Sequence, residues 1–493
     1  MAQRWKAGEI ARVLGIELPA PWEAESEIGP LFSDSRQPQA GGLFVPLRGE
    51  NFNGHAYLAS AREGGAKGSL WSPAEAQGLE PPPGFPLLVV DSVLEAYLRL
   101  ASYHLERSKV RVAAITGSVG KTTTKDLLAG LLASKFRTVA TVANHNNEIG
   151  VAQTLLALQE ETEWAVVEMG MRARGEIARL AKLTRPQIAL ITYIGESHLE
   201  LLGSREEIAR AKGELLEESD PQGLAILPAD SDFYPLLASL APGRQTSFAL
   251  RAPQAEWRLV SRRDRLRPLA KEREGSWRPL LWGQEIEIAT PLGRGELFLP
   301  LPGEHNCANT LAALAAAREA GLGWEEWREA LATCQLTAGR LQLEEGPGGT
   351  LLLDDAYNAA PSSMAAALEI LAKLPALRGE GMAKGRRVAI LGDMLELGPQ
   401  SGNWHRQLGE MAAGRADLVL GVGPQSRELV EGALARGGRA SWVADYRAAL
   451  LWAQQELGAG DMILVKASHS IHLDRLASAV RSWGSELARM GRQ

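Results

Sequence analysis

Short apolar runs separated by longer stretches of helical periodicity set the rhythm of most of this chain. Between residues 91 and 334 the runs are VRVAAITG, EWAVVEMG, QIALITYIG and GLAILPAD. Their residues are apolar at successive positions rather than at alternate ones, and turn signals bound them. That suits strands of a parallel sheet covered on both faces. The rhythm resumes after Gly339 and Arg340 with GTLLLDDAY, RRVAILGDM, ADLVLGVG and DMILVKAS, which predicts a second α/β unit rather than a continuation of the first. Before residue 91 the strand-like pieces, such as GGLFVPL and GSLWS, are shorter and punctuated by turn residues. They close on PPPGFPLLVVD, a proline cluster and an apolar strand that mark a domain edge. The pattern predicts three α/β domains, at residues 1–90, 91–334 and 335–493. It holds no short-period repeat and no low-complexity tract.

Length agrees with that division, since 493 residues exceed what one ordinary core organises. A net charge of -6 argues against a general nucleic-acid binder, which needs a basic face. The arginine-rich run over residues 258–278 mixes in acids and reads as a solvated edge or hairpin. No apolar run approaches the ~20 residues that cross a bilayer, and MAQRWKAGEIARVLG lacks a signal peptide's apolar core. A cytoplasmic protein without membrane insertion is the expectation. Two cysteines, Cys307 and Cys334, fit a reducing compartment.

The most specific chemistry lies in TGSVGKTT, between a legible strand and a legible helix. Gly117 and Gly120 let the backbone curl so that several amide N–H groups point inward, and the following helix starts with its positive dipole end toward the same spot. Lys121 adds a mobile cation for phosphates, and Thr122 a hydroxyl able to bind Mg²⁺. Ile115 stands where the strict phosphate-loop pattern has glycine, so this is a shortened variant that leaves kinase, GTPase, motor and ligase open. Glu168 ends an apolar run, where open parallel sheets place ligand-facing groups, and is suited either to hold Mg²⁺ or to cap its strand. His198 follows the next strand beside the same crevice. Lys212, in a charged helical stretch, reads from its pattern as a surface lysine.

Taken in order, TGSVGKTTTK, NHNNEIG, EMG, ESHLELLGSREEIARAKGEL, GEHNCANTLAALAAA, GRLQ, DDAYNAAPSSM and GDMLELG resemble the Mur ligases, ATP-dependent amide-forming enzymes of peptidoglycan precursor synthesis. The resemblance runs essentially end to end. It implies a small N-terminal α/β domain for the UDP end of the substrate, a central P-loop-type, mostly parallel sheet flanked by helices, and a Rossmann-like C-terminal domain. NHNNEIG, YNAAP and GDMLELG look most like the branch that joins D-alanyl-D-alanine to UDP-N-acetylmuramoyl-tripeptide. The nearest alternatives are the branch that adds the third residue and a folylpolyglutamate-synthase-like ligase. Outside enzymes, the alternative is a nucleotide-binding regulatory protein.

The same resemblance assigns roles. ATP would meet residues 117–123 (Gly117, Ser118, Val119, Gly120, Lys121, Thr122, Thr123), with Asn306 and Asn309 at the adenine, Arg340 at the phosphates and Asp355 at the ribose. Two Mg²⁺ sites would draw on Thr122 and Glu168, and on His198 and a CO₂-derived carbamate of Lys212; Lys121, His198 and Lys212 form the catalytic set. Ser33, Asp34, Ser35 and Arg36 would hold the UDP end. Asn144, Asn146, Asn147, Tyr357 and Asn358 would position substrate nearer the reaction. A monomer is expected, closing through a hinge at residues 337–339. Ala467 and His469 depart from the family's glycine and arginine, which bears on contacts to the dipeptide or the transferred phosphate.

Overall fold

The computed structural model describes residues 4–49, 52–143, 145–268, 277–334, 337, 339–377 and 385–483. The first unit is built on four short parallel strands, Leu31–Phe32, Leu43–Phe44, Gly68–Trp71 and Leu87–Val89. Leu43, Phe44 and Leu70 are almost wholly buried within it. Gly42, just before the inner strand Leu43–Phe44, has no room for a side chain, because a Cβ there would stand 2.4 Å from the carbonyl oxygen of Pro30.

The middle unit places strands in the order Thr138–Ala140, Trp164–Glu168, Arg111–Thr116, Ile188–Ile191, Leu224–Pro228 and Arg244–Ala249, all parallel. Continuous apolar runs are required here because both faces are covered. Val112 and Ala114 face one core with Val151, Leu155 and Ile208, whereas Ala113 and Ile115 face another with Leu127, Leu131 and Leu311. The alanine-rich helix Glu304–Glu319 is buried on nearly every side against helix Lys121–Ala133, an approach that small side chains permit.

The arginine-rich run does form a hairpin: strand Trp257–Pro268 pairs antiparallel with Arg278–Thr290, which pairs with Gly293–Leu299. The expected break between the second and third units is not a break in the sheet. Strand Arg278–Thr290 continues, through Leu280↔Leu343, onto Gln342–Glu345, so one 15-stranded sheet runs through both. Beyond it the third unit orders Leu351–Asp354, Met462–Lys466, Arg387–Gly392, Leu418–Val422 and Ala440–Val443 in parallel. Among the described residues no helix is long and apolar enough to cross a membrane.

Candidate active site

The crevice is assembled at the C-terminal ends of the middle strands, where Arg111–Thr116 gives way to the glycine loop. Gly117 has φ +151° and Gly120 has φ +89°. A Cβ on Gly117 would lie 1.9 Å from Thr192 Oγ1, and one on Gly120 would lie 2.4 Å from Asn309 Oδ1. Only glycine satisfies both the backbone conformation and the space. The neighbouring strand's exit holds the loop: Ser118 N donates to the Tyr193 carbonyl (2.8 Å), Gly195 N to Ser118 Oγ (2.9 Å) and Thr192 Oγ1 to the Val119 carbonyl (2.6 Å). Lys121 folds back so that Nζ donates to the Gly117 carbonyl at 2.8 Å. Burial lowers its pKa, against the pull of Glu168.

Glu168 is 1% exposed. Its Oε1 accepts from Asn146 Nδ2 at 2.8 Å, while its Oε2 is buried and has no hydrogen-bond partner among the described residues. A buried carboxylate oxygen left unpaired is costly unless a cation completes it. His198, held at φ +67° before helix Leu199–Leu202, puts Nδ1 2.7 Å from Glu396 Oε2 of the third unit, close but misaligned for a hydrogen bond. Burial keeps the imidazole below its ordinary pKa despite that carboxylate. The structure corrects the pattern-based reading of Lys212. It is 1% exposed in helix Arg205–Glu217, has no ion-pair partner among the described residues, and is held well below the usual lysine range by burial and by the charge of Lys121.

The third unit reaches in through Arg340, whose Nη2 donates to Thr122 Oγ1 at 2.8 Å. Its guanidinium lies 4.2 Å over the Tyr357 ring, and the Tyr357 hydroxyl is buried without a hydrogen-bond partner among the described residues.

Comparison with known proteins decides the family. Residues 115–317 match the Mur ligase middle domain, and residues 339–469 match the Mur ligase glutamate ligase domain. The chain belongs to the Mur ligase family. It is 34% identical over 470 residues to the UDP-N-acetylmuramoyl-tripeptide–D-alanyl-D-alanine ligase of Bacillus subtilis (strain 168), covering 95% of this chain and 96% of the relative. Against the protein of that name from Escherichia coli (strain K12), it is 34% identical over 489 residues, with 97% and 98% covered. The crystal structure of MurF from Acinetobacter baumannii superposes with a TM-score of 0.83 at 29% identity, over 98% of this chain and 99% of that one.

Within this Mur ligase the other expected residues divide sharply. Asn309 meets the loop at Gly120, and its Nδ2 donates to Asn306 Oδ1 (3.0 Å). Asn306 donates in turn to the Pro302 carbonyl (2.7 Å), so it buttresses Asn309. Thr123 is half-buried on the first turn of its helix. Asp355 is buried and already engaged, accepting from Lys466 Nζ at 2.6 Å and from Leu341 N at 3.2 Å. Lys466, which also donates to the Asn358 carbonyl, was not singled out from sequence, although it ends a quoted strand. The side chain of Asn358 accepts from Ala359 N. Asn147 turns back as the cap of helix Glu148–Leu156, accepting from Gly150 N at 3.0 Å; local backbone chemistry claims its oxygen. Asn144 lies outside the described residues.

In the first unit, Asp34 accepts from Arg36 Nη2 and Nε at 2.8 and 2.9 Å, closing the turn on itself beside the half-buried Ser33 and Ser35. The exposed His469 stands beside Tyr357, with ring centroids 6.1 Å apart. The hinge expected at residues 337–339 is pinned at one end, where Thr337 N donates to Asp126 Oδ2 (2.8 Å), and turns at Gly339 with φ +72°. Asp126 and Glu396 carried no sequence signal of their own. Glu396 sits inside GDMLELG, but only the fold brings it to His198.

Proposed function

We propose that this chain uses ATP to join D-alanyl-D-alanine to UDP-N-acetylmuramoyl-tripeptide, as a cytoplasmic monomer in peptidoglycan precursor synthesis. The observation that carries the chemistry is the meeting of Lys121, Glu168, His198 and Lys212 with Arg340 from the next unit in one crevice. The full-length relatives named above supply the substrates.

A carboxylate is a poor electrophile, and phosphorylating it with the ATP γ-phosphoryl creates an acyl phosphate with a good leaving group. The glycine loop's amides and Lys121 hold the triphosphate, and Arg340 reaches the same place from the third unit. The dipeptide amine then attacks the acyl carbon, phosphate departs, and an amide forms. Enclosure between the units shields the acyl phosphate from water.

The residues present fit divalent metal. The unpaired Glu168 Oε2 and the Thr122 hydroxyl supply hard oxygen ligands for one site, and His198 with a modified Lys212 supplies a second. Among the described residues no three His, Cys, Asp or Glu side chains gather as a metal cluster, so the second site depends on that modification. A neutral Lys212 amine adds to CO₂ through its lone pair and loses a proton, which replaces the neutral amine by a carbamate anion. Bound Mg²⁺ would offset the repulsion between the triphosphate and the incoming carboxylate.

The roles assigned by resemblance to residues 1–90 for the UDP end, 91–334 for ATP and 335–493 for closure are part of this proposal. The deciding experiment measures phosphate release from ATP by the full chain. Release that requires both UDP-N-acetylmuramoyl-tripeptide and D-alanyl-D-alanine is the expected result, whereas release with a single amino acid in place of the dipeptide assigns the chain to another branch.

A further inference from the structure

One face of the helix that follows the phosphate loop carries a row of contacts to the third unit's connection. Thr122, Asp126 and Gly130 recur at every fourth position of helix Lys121–Ala133, which places them on one side of it. A Cβ on Gly130 would come 3.2 Å from Cys334 Sγ, and the Cys334 thiol lies 3.7 Å from the Asp126 carbonyl oxygen. Thr337 N donates to Asp126 Oδ2 at 2.8 Å, and Arg340 Nη2 donates to Thr122 Oγ1 at 2.8 Å. Cys334, Thr337 and Arg340 therefore lie antiparallel to the helix, in order toward the phosphate loop at its start.

Asp126 is the polar anchor of that row. Its side chain is 11% exposed and both oxygens are engaged, Oδ1 with Lys125 Nζ at 2.9 Å and Oδ2 with Thr337 N. A hydrogen bond to a shielded carboxylate is stronger than one between neutral groups. Lys125 is buried and also donates to the Thr141 carbonyl at 2.9 Å, while Thr141 Oγ1 accepts from Glu168 N at 3.0 Å. The adjacent pair Lys125 and Asp126 thus ties the strand end bearing Glu168 to the connection bearing Arg340. From Asp126 back to Thr122 the helix spans ~6 Å, and from Thr337 to Arg340 an extended chain reaches at most ~10 Å. Where Thr337 is held thus limits where the guanidinium can stand.

We propose that Asp126 is a positioning residue for the nucleotide: by holding Thr337 N it sets the register of the connection along this helix, so that Arg340 arrives at the phosphate loop. It acts through Arg340 and not on the nucleotide itself. The assignment rests on the role of Arg340 at the phosphates proposed above. Tyr357 holds the far side, its N–H donating to the Gly339 carbonyl at 3.2 Å and its ring 4.2 Å from the guanidinium, so loss of Asp126 shifts Arg340 without freeing it.

Isothermal titration of the full chain with Mg²⁺ and adenylyl imidodiphosphate, an ATP analogue that is not hydrolysed, tests it. Asp126→Ala should weaken binding about three- to tenfold, the loss of one hydrogen bond. In an Arg340→Ala background the same change should cost less than about twofold, because the group it positions is gone, a coupling that a merely structural role would not produce. Asp126→Asn keeps an oxygen for Thr337 N and should stay within about twofold of wild type. Asp126→Glu keeps the charge beside Lys125 but moves the acceptor by one methylene; it should weaken binding as Asp126→Ala does, and it carries the same comparison if the alanine variant does not fold. Equal losses in both backgrounds, or wild-type affinity in Asp126→Ala and Asp126→Glu alike, overturn the positioning role and leave the function standing. An Arg340→Ala protein that binds the analogue as tightly as wild type removes the phosphate contact of Arg340, and this inference with it.

Discussion

Lys212 shows how far a residue's role depends on where the fold puts it. In sequence it belongs to a charged helical stretch, where a lysine normally snorkels to water. In the structure it is 1% exposed and has no ion-pair partner among the described residues. Burying an unpaired ammonium favours the neutral amine, which is the form that adds to CO₂. Lys212→Ala should therefore lower kcat by on the order of 10²–10³-fold, the effect of losing one preorganised electrostatic group. Binding of a fluorescent ATP analogue should persist, because the glycine loop and Arg340 are untouched. Full turnover in that variant would remove the carbamate from the mechanism. The glycines were legible without a structure, because a strand, two glycines, a lysine and a helix form a local pattern. The burial of Lys212 and the pairing of Glu396 with His198 were not, because both depend on chain segments far apart in sequence.

Elements decide two further cases. Asn147 is expected at the substrate within an asparagine-rich motif, and in the structure its oxygen caps helix Glu148–Leu156. Asn147→Ala should destabilise the protein by about 1 kcal/mol in urea unfolding while leaving kcat/KM within about threefold of wild type. A large loss of kcat/KM at unchanged stability would restore the substrate role. His405 is fixed between two segments of the third unit. Met394 N donates to its Nε2 at 3.0 Å, and its Nδ1 lies 2.8 Å from the Ser401 carbonyl oxygen, a pairing that only the neutral ring makes with both. Burial lowers its pKa from the ordinary value near 6.5. Below that value the unfolded chain takes up a proton that the folded chain refuses. The stability from His405 is therefore complete above pH ~6.5 and declines as pH falls toward the lowered folded value. Thermal midpoints measured from pH 7.5 down to 5 should fall, and His405→Gln should flatten part of that slope. His305, lowered to about 4 chiefly by burial, supplies another part. A slope unchanged by His405→Gln would show that its protonation is not resisted by the fold.

At the scale of the molecule, the sequence rhythm that separates the second and third units misses what joins them. Their boundary was read from the return of apolar runs after Gly339, and both units do have their own parallel strands. The join is made by a hairpin strand in a segment whose charge made it look peripheral. Strand Arg278–Thr290 pairs with Gln342–Glu345, and Leu280 and Trp282 enter the third unit's core beside Leu343, Leu353 and Met364. Two polar contacts cross the crevice, Arg340 to Thr122 and His198 to Glu396, and this apolar seam joins the units beside them. The two should accordingly unfold together, in one calorimetric transition. Leu280→Ala removes a side chain only 9% exposed and should destabilise that shared transition by about 2–5 kcal/mol, as other buried leucine truncations do. The same variant should leave ATP affinity nearly unchanged, because the phosphate loop rests on a different core. Two resolved transitions in the wild type, with Leu280→Ala moving only one, would mean that the third unit is free to swing about Gly339 without disturbing the seam. A single shifted transition means instead that the Leu280↔Leu343 seam makes the two units one cooperative folding unit.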